Sequence, residues 1–397
     1  MVLKAFKLRL YPNKTQRNQI HVNFGCARFV WNQMLNMHIE RYKNNKKAKF
    51  QGRYSMDVML KALKIEYPWL KQAESTSLQR VNRDLDDAFQ RFFNHSLQNG
   101  FPRFKSKKNT NQSYTSKFVN NNIRIVNEHH IKLPKLGLVC FKAGRILNGK
   151  IRAVTVRVNS RKQYQASILV ESENQTFKKT KKSVGIDLGL KSLTITSDGQ
   201  KEDILKVDDG LNKQLRIWER KKSRRYENAK KAMAFDEHDK VLFPRTDLKQ
   251  FPRYQQAVRT VAKLKRHIAE RRRDNLHKLT TRLVKDYDTI VVENLSVKNM
   301  MKNHHLSASI ANASWGTLIS QLKYKCAWYG KRLIIIDPKN TSRICHECKQ
   351  KNHEFDSLSQ SEWLAAREWD CPNCHAHLDR DVNAAKNILA KGLETLS

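Results

Sequence analysis

Hydrophobic residues recur at two different periods along the chain, and the changes of period divide it. Residues 2–11 alternate, with Val2, Phe6, Leu8 and Leu10 on one face and Lys7 and Arg9 on the other, which predicts a strand with a basic outer face. Tyr11-Pro12-Asn13 ends that strand and Thr15 is a candidate cap for the helix after it. There Ile20, Phe24, Ala27, Phe29, Val30, Trp31, Met34 and Met37 recur near helical spacing, read as core rather than as a base-stacking platform. Further helices are expected over about 55–66 and 76–98, the second with Leu78, Val81, Leu85, Ala88, Phe89 and Phe92 on one side, so residues 12–98 read as a helical bundle. NGFPRFKSKK (99–108) breaks it with a basic, aromatic loop, a mixture suited to a phosphate backbone and stacked bases or to a solvated linker. From 113 to 172 the strand period returns through Ile123, Ile125, Ile131 and Leu133, then Ile151, Ala153, Thr155 and Arg157, then YQASILVE. These strands are expected to close on the first, making the helices an insertion into a small barrel.

After the basic linker 178–182 the pattern changes again. SVGIDLGLKSLTITSDG (183–199) predicts a strand, a tight turn, a second strand and an Asp198-Gly199 hairpin. Val184, Ile186 and Leu188 face one way, which leaves Asp187 between Gly185 and Gly189 on the other, two glycines expected to clear space for something bulky and charged. Residues 210–285 read as helical and strongly basic. YDTIVVENL (287–295) is a short, continuously apolar strand, the mark of burial on both faces of a central sheet, and it ends in Glu293. A helix from Trp315 to Tyr329 leads into KRLIIIDP (331–338), which repeats the design and ends in Asp337.

Charge changes the picture. The 77 Lys and Arg against 37 Asp and Glu leave a net charge of +40 over 397 residues, which calls for a polyanion as partner, over a long contact. No apolar run approaches the roughly 18–20 residues of a spanning helix, and MVLKAFKLRLYPNK has no signal-peptide core, so no membrane and a cytoplasmic location are expected. Cys26, Cys140 and Cys326 are scattered and read as buried free thiols. Cys345/Cys348 and Cys371/Cys374 are different, because two Cys-x-x-Cys pairs meet the tetrahedral demand of one structural Zn²⁺. The loop between them, residues 349–370, is a little longer than the roughly 15–20 usual for such sites.

LDRDVNAAKNILAKG (378–392) follows at once and predicts a helix opened by Asp379 and Asp381. Asp187, Glu293 and Asp381 are far apart in sequence yet compatible with one end of a single sheet. Held together they would repel unless divalent cations neutralised them. Two Mg²⁺ about 3.5–4 Å apart would do so while activating water and stabilising the leaving oxygen of a phosphodiester, the RNase H/RuvC type of site.

The chain resembles the TnpB (OrfB) proteins of bacterial and archaeal insertion sequences, relatives of the type V CRISPR effectors. The segments that carry the likeness are KLRLYPNKTQ, NGFPRFKSKK, VGIDLGLKSLTITSDG, residues 271–300, residues 307–348 and CPNCHAHLDRDVNAAKNI, covering nearly the whole length. The resemblance implies an α/β multidomain fold. A wedge β-barrel (1–11 and 113–178) would be interrupted by a helical recognition lobe (12–112), followed by an RNase H-like RuvC nuclease domain (179–340 and 379–397) with an inserted zinc ribbon (341–378). It implies an RNA-guided DNA endonuclease that cuts beside a short protein-read motif. Asp187, Glu293 and Asp381 match its catalytic acids, Asp337 and Asp379 neighbouring non-catalytic positions. The implied partners are one guide RNA per protein, derived from the transposon end, and double-stranded target DNA, in a prokaryotic, nucleoid-associated setting. The competing readings are a nuclease-inactive RNA-guided repressor and a DNA-binding transposition accessory protein. Residues 235–251 and the filling of the ribbon from His353 to Arg367 depart from the family pattern.

Overall fold

The computed structural model describes residues 1–397 apart from 98, 110, 143, 145, 146, 160–162, 204–208, 233–247, 249, 303, 357–361, 363–365 and 397. The stretch 235–251 therefore lies almost wholly outside the described residues, and the ribbon filling partly so. The chain divides into two compact units, Met1–Asn174 and Gln175–Ser397.

In the first unit the alternation of residues 2–11 becomes β1 (Val2–Tyr11), with Leu8 and Leu10 buried and Lys7 outside. Three helices follow: α1 (Lys14–Asn44), α2 (Arg53–Glu66) and α3 (Ser75–Phe93). The cap of α1 is Asn13 rather than Thr15. Its Oδ1 accepts from the Gln16 amide at 2.8 Å while Gln16 Oε1 accepts from the Asn13 amide at 3.0 Å, a reciprocal capping box that satisfies two otherwise orphaned donors. Ile20, Phe24, Val30, Trp31 and Met34 are core. The third helix stops at Phe93, five residues short of the expected end, where the Asn94 amide closes on Gln90 O.

The remaining strands are β2 (Gln112–Lys117), β3 (Arg124–Ile125), β4 (His130–Leu133), β5 (Gly137–Lys142), β6 (Lys150–Val158) and β7 (Tyr164–Ser172). They pair antiparallel in the order β2-β6-β7-β1-β5-β4-β3, so the first strand of the chain lies in the middle and the helices are inserted between β1 and β2. The loop 99–108 is docked, not free: Trp31 Nε1 donates to Arg103 O at 3.0 Å, and Asn32 Oδ1 accepts from the Lys105 amide at 2.8 Å. Lys105 Nζ sits 3.5 Å from the centre of the Trp31 ring, and Phe101 packs edge-on against Phe89 and Phe92. Cys26 is buried as expected, but Cys140, on the outward face of β5, is exposed.

The second unit carries a five-stranded sheet in the order β10-β9-β8-β11-β12. Its strands are β8 (Ser183–Asp187), β9 (Ser192–Thr196), β10 (Lys201–Asp203), β11 (Thr289–Glu293) and β12 (Arg332–Ile336). β8, β11 and β12 run parallel, whereas β9 and β10 are antiparallel additions. The basic stretch after β10 forms α4 (Asp209–Lys231) and α5 (Pro252–Asp286). Between β11 and β12 run α6 (Val297–Met300), α7 (His304–Ala313) and α8 (Trp315–Tyr329). The chain ends with β13 (Glu368–Asp370), β14 (His377–Asp379) and α9 (Arg380–Glu394).

The sheet is covered on both faces, which is why its middle strand reads as an unbroken apolar run. Ile290 and Val292 of β11 join Leu276, Leu279 and Leu283 of α5 and Leu318 and Leu322 of α8 on one side. Val291 packs with Ile388 of α9 on the other. Each such side chain contributes about 1.5–3 kcal/mol on burial. β12, an edge strand, is only partly buried up to Ile336. Gly185 has a role the sequence did not suggest. A Cβ there would lie 2.1 Å from Ala385 O and 2.6 Å from Leu389 N, so the glycine admits the backbone of α9 rather than a charged ligand. Gly392 does the reverse from the helix, where a Cβ would fall 2.3 Å from Val291 Cγ1.

The strands enter the sheet through an ion pair. Lys331 Nζ, on a side chain 1% exposed, binds the Asp288 carboxylate and donates to Lys178 O at 2.8 Å. The same carboxylate accepts from the amides of Thr180 and Lys181, at 2.9 and 2.7 Å, and these donors hold it far below the usual carboxylate range.

Candidate active site and metal centre

The carboxylates singled out in the sequence lie at one end of the parallel strands. β8 and β11 are in register through Ile186 and Val292, so Asp187 and Glu293 follow as the last residues of neighbouring strands. Glu293 pairs with Ile336 of β12, and Asp337 comes next. Asp381 is in the first turn of α9, whose Asp379 cap accepts from the amides of Asp381 and Val382 at 3.0 and 2.9 Å and receives Lys201 Nζ at 2.5 Å.

The electrostatics tie Asp187 to the other two. Burial pushes the Asp187 carboxyl up to about 7, with the Glu293 and Asp381 charges adding to the rise and Arg380 and the Leu188 amide opposing it. Glu293 is 6% exposed and is likewise raised by burial, while a hydrogen bond from Thr341, the Lys391 charge and the Asp337 charge act on it in turn, only the last upward. Thr341 Oγ1 donates to Glu293 Oε1 at 2.5 Å. Asp381 is engaged by two guanidinium groups: Arg380 reaches Oδ1 with Nε at 3.0 Å and Nη2 at 2.9 Å, and Arg367 Nη1 reaches Oδ2 at 3.1 Å. The three carboxylates do not close into a set with ligand atoms within 4.8 Å of one another. They are hard oxygen donors, Glu293 buried and Asp187 and Asp381 half-buried, with guanidinium groups already drawn to one of them. That donor set fits a hard divalent cation. Arg380, Arg367, Thr341 and Lys391 escaped the sequence reading. Arg380 could have been flagged as a basic residue between two acids at a helix start, whereas nothing in the local pattern marks Thr341.

Among the described residues the four sulfurs of Cys345, Cys348, Cys371 and Cys374 alone gather as a possible metal cluster, all within 4.8 Å of one another. Cys345 Sγ lies 3.7 Å from Cys374 Sγ and Cys348 Sγ 3.6 Å from Cys371 Sγ. These separations exclude disulfides, whose sulfurs stand about 2.05 Å apart. They match the edge of about 3.8 Å that four thiolates at about 2.3 Å from one zinc would define. The cluster could bind zinc. Asn373 and the Gln350 amide draw the Cys348 thiol down to about 6, whereas burial pushes Cys345 up to about 12 and Cys374 is also raised, so without a metal the four do not share one protonation state.

The cysteine module is tied to α9 by two asparagines. Asn383 Nδ2 donates to Ile344 O at 2.8 Å and its Oδ1 accepts from the His346 amide at 2.8 Å. Asn387 Nδ2 donates to Ile344 O at 2.6 Å and to Thr341 O at 2.9 Å. The helix carrying Asp381 is thus fastened to the residues flanking Cys345, and through Thr341 to Glu293.

Three family models match the chain: a "Helix-turn-helix domain" over residues 1–47, "Probable transposase" over 167–304 and "Cas12f1-like, TNB domain" over 315–388. The first of these segments folds here as β1 and the single helix α1, without a helix-turn-helix. A "Putative RNA-guided DNA endonuclease" of Streptomyces pristinaespiralis is 33% identical over 402 residues, covering 99% of this chain and 90% of that protein. "Putative RNA-guided DNA endonuclease InsQ" of Escherichia coli K12 is 30% identical over 412 residues, covering 100% and 94%. "TnpB-like protein L79" of Acanthamoeba polyphaga mimivirus is 24% identical over 54% of this chain and 38% of its own. With relatives at this identity over nearly its full length, the chain belongs to the TnpB (OrfB) family of insertion-sequence proteins.

Proposed function

We propose that the protein is the RNA-guided DNA endonuclease of an insertion sequence. It cuts double-stranded DNA that matches a bound guide RNA next to a short motif read by the protein, through a metal-dependent RuvC-type site. The guide is derived from the transposon end, one RNA per protein, and the complex works on chromosomal DNA in a prokaryotic cytoplasm. The observation that carries this reading is the convergence of Asp187, Glu293 and Asp381 at one end of a parallel sheet, in a chain of net charge +40.

Asp187, Glu293 and Asp381 would hold two Mg²⁺, which when bound supply an activated water and charge stabilisation for the leaving oxygen. The chain's own groups do the rest. β8 and β11 fix two carboxylates in register, the Asp379 cap sets the first turn of α9, and Thr341 fixes the rotation of the Glu293 carboxylate by binding one of its oxygens. Glu293, 6% exposed, is shielded from bulk solvent. Cys345, Cys348, Cys371 and Cys374 would hold one structural Zn²⁺ in a ribbon over 341–378 inserted into the nuclease domain, and the asparagine clasp transmits its fold to Asp381. The first unit, wedge and helical recognition lobe, would read the flanking motif.

The test is to substitute Asp187, Glu293 and Asp381 singly by Ala in the guide-loaded protein. Each variant should lose Mg²⁺-dependent cutting while target binding persists, because the carboxylates hold metal and not phosphate. Full cutting by any one of them contradicts the assignment of that residue.

A further inference from the structure

Arg380 stands where a cation is least expected. It is the first residue of α9, where a positive side chain opposes the helix macrodipole, and it is only 8% exposed, so its charge has also lost most of its hydration. Such a guanidinium persists only if something compensates it. Asp381, its immediate successor, supplies a counter-charge, and its Oδ1 takes both Nε and Nη2 at 3.0 and 2.9 Å. Arg367 Nη1 covers the other oxygen at 3.1 Å, and the Arg380 amide is itself fastened to Arg367 O at 2.8 Å. Both oxygens of Asp381 are therefore in use. The Arg380 charge also reaches Asp187, where it opposes the push of Glu293 and Asp381.

We infer that Arg380 is the internal counter-cation of the carboxylate site: its guanidinium neutralises Asp381 in the metal-free chain, and a divalent cation loads by displacing it. This rests on the reading of Asp187, Glu293 and Asp381 as the metal site. Arg380 is then a positioning residue that keeps the neighbouring acids assembled before metal arrives, at the cost of metal affinity. A residue that merely shaped the site would have the opposite effect, since removing it would loosen Asp381 and weaken the metal. The sign of one change separates the two.

The probe is Mn²⁺, its binding to the purified full chain followed by loss of the free-ion EPR signal, with Asp187→Ala as background. Arg380→Gln should lower the half-saturating Mn²⁺ concentration at least about threefold, because a repelling charge has gone, and should lower the melting temperature of the metal-free chain. Arg380→Lys keeps the charge and loses the two-point grip, so it should shift binding in the same direction by less; it serves if the Gln variant does not fold. Binding that is unchanged or weaker in these variants, while Asp187→Ala abolishes it, overturns the counter-cation role and leaves the metal site standing. A wild-type chain that binds no more Mn²⁺ than Asp187→Ala overturns both.

Discussion

Asp187 is charged against its surroundings, and that has a pH consequence. Its folded pKa of about 7 lies above the 3.8 of an ordinary aspartate, so between these values the folded metal-free chain holds a proton the unfolded chain has released. Stability from this group therefore falls as pH rises through that window. The melting temperature of wild type relative to Asp187→Asn, without divalent metal, should drop from pH 5 to pH 8; a constant difference contradicts the raised Asp187 carboxyl. Asp288 behaves oppositely. Its carboxyl is held low, so its contribution is present at neutral pH and lost on acidification. Asp288→Asn leaves Lys331 buried without its counter-charge and should lower unfolding free energy by about 2 kcal/mol or more in denaturant titrations. Among the acids, Asp337→Asn should keep most cutting and Asp381→Asn lose it; equal loss would exchange their roles. Asp187, Glu293 and the four cysteines were legible because each sits in a short local pattern: an acid ending an apolar strand, or two sulfurs a turn apart. Thr341 matters only through Glu293, which the fold brings close, and no local period records that, whereas Arg380 beside Asp381 was open to a reading of the helix start.

At the scale of elements, α9 is the part most dependent on close fit. Gly185→Ala places a methyl against the helix backbone, which cannot step aside as a side chain can. It should lower both melting temperature and cutting, since a displaced helix carries Asp381 with it. Unchanged cutting would show that the helix position does not set the third acid. If the cysteines hold zinc as proposed, Cys371→Ser should act along the same helix, lowering melting temperature and cutting together through the Asn383 and Asn387 clasp. Periodicity revealed β1, β11 and α8 with nearly their observed ends, because each has a long or strongly apolar pattern. It failed where a cap decided the boundary, as at Asn13 and Asn94, and where a glycine served a neighbouring backbone rather than its own turn.

For the whole molecule the decisive quantity is the charge. The 77 basic residues outnumber the 37 acids by 40, a charge that the chain cannot neutralise from within. Free of RNA, the protein should bind DNA weakly and without sequence preference, with affinity falling steeply as salt rises because bound phosphates release counterions. A shallow salt slope would remove the argument for a long backbone contact. Composition made the polyanion legible at once, whereas the path it follows depends on the arrangement of the folded surfaces and has no signature in residue order. The central claim is that base pairing, not the protein, chooses the target. The most direct measurement purifies the chain with its RNA, replaces the guide segment, and maps cut sites on DNA carrying the old and new matches beside the same flanking motif. Cutting should move to the new match and vanish from the old. RNA-free protein cutting one fixed sequence as well as the loaded form does would contradict the account.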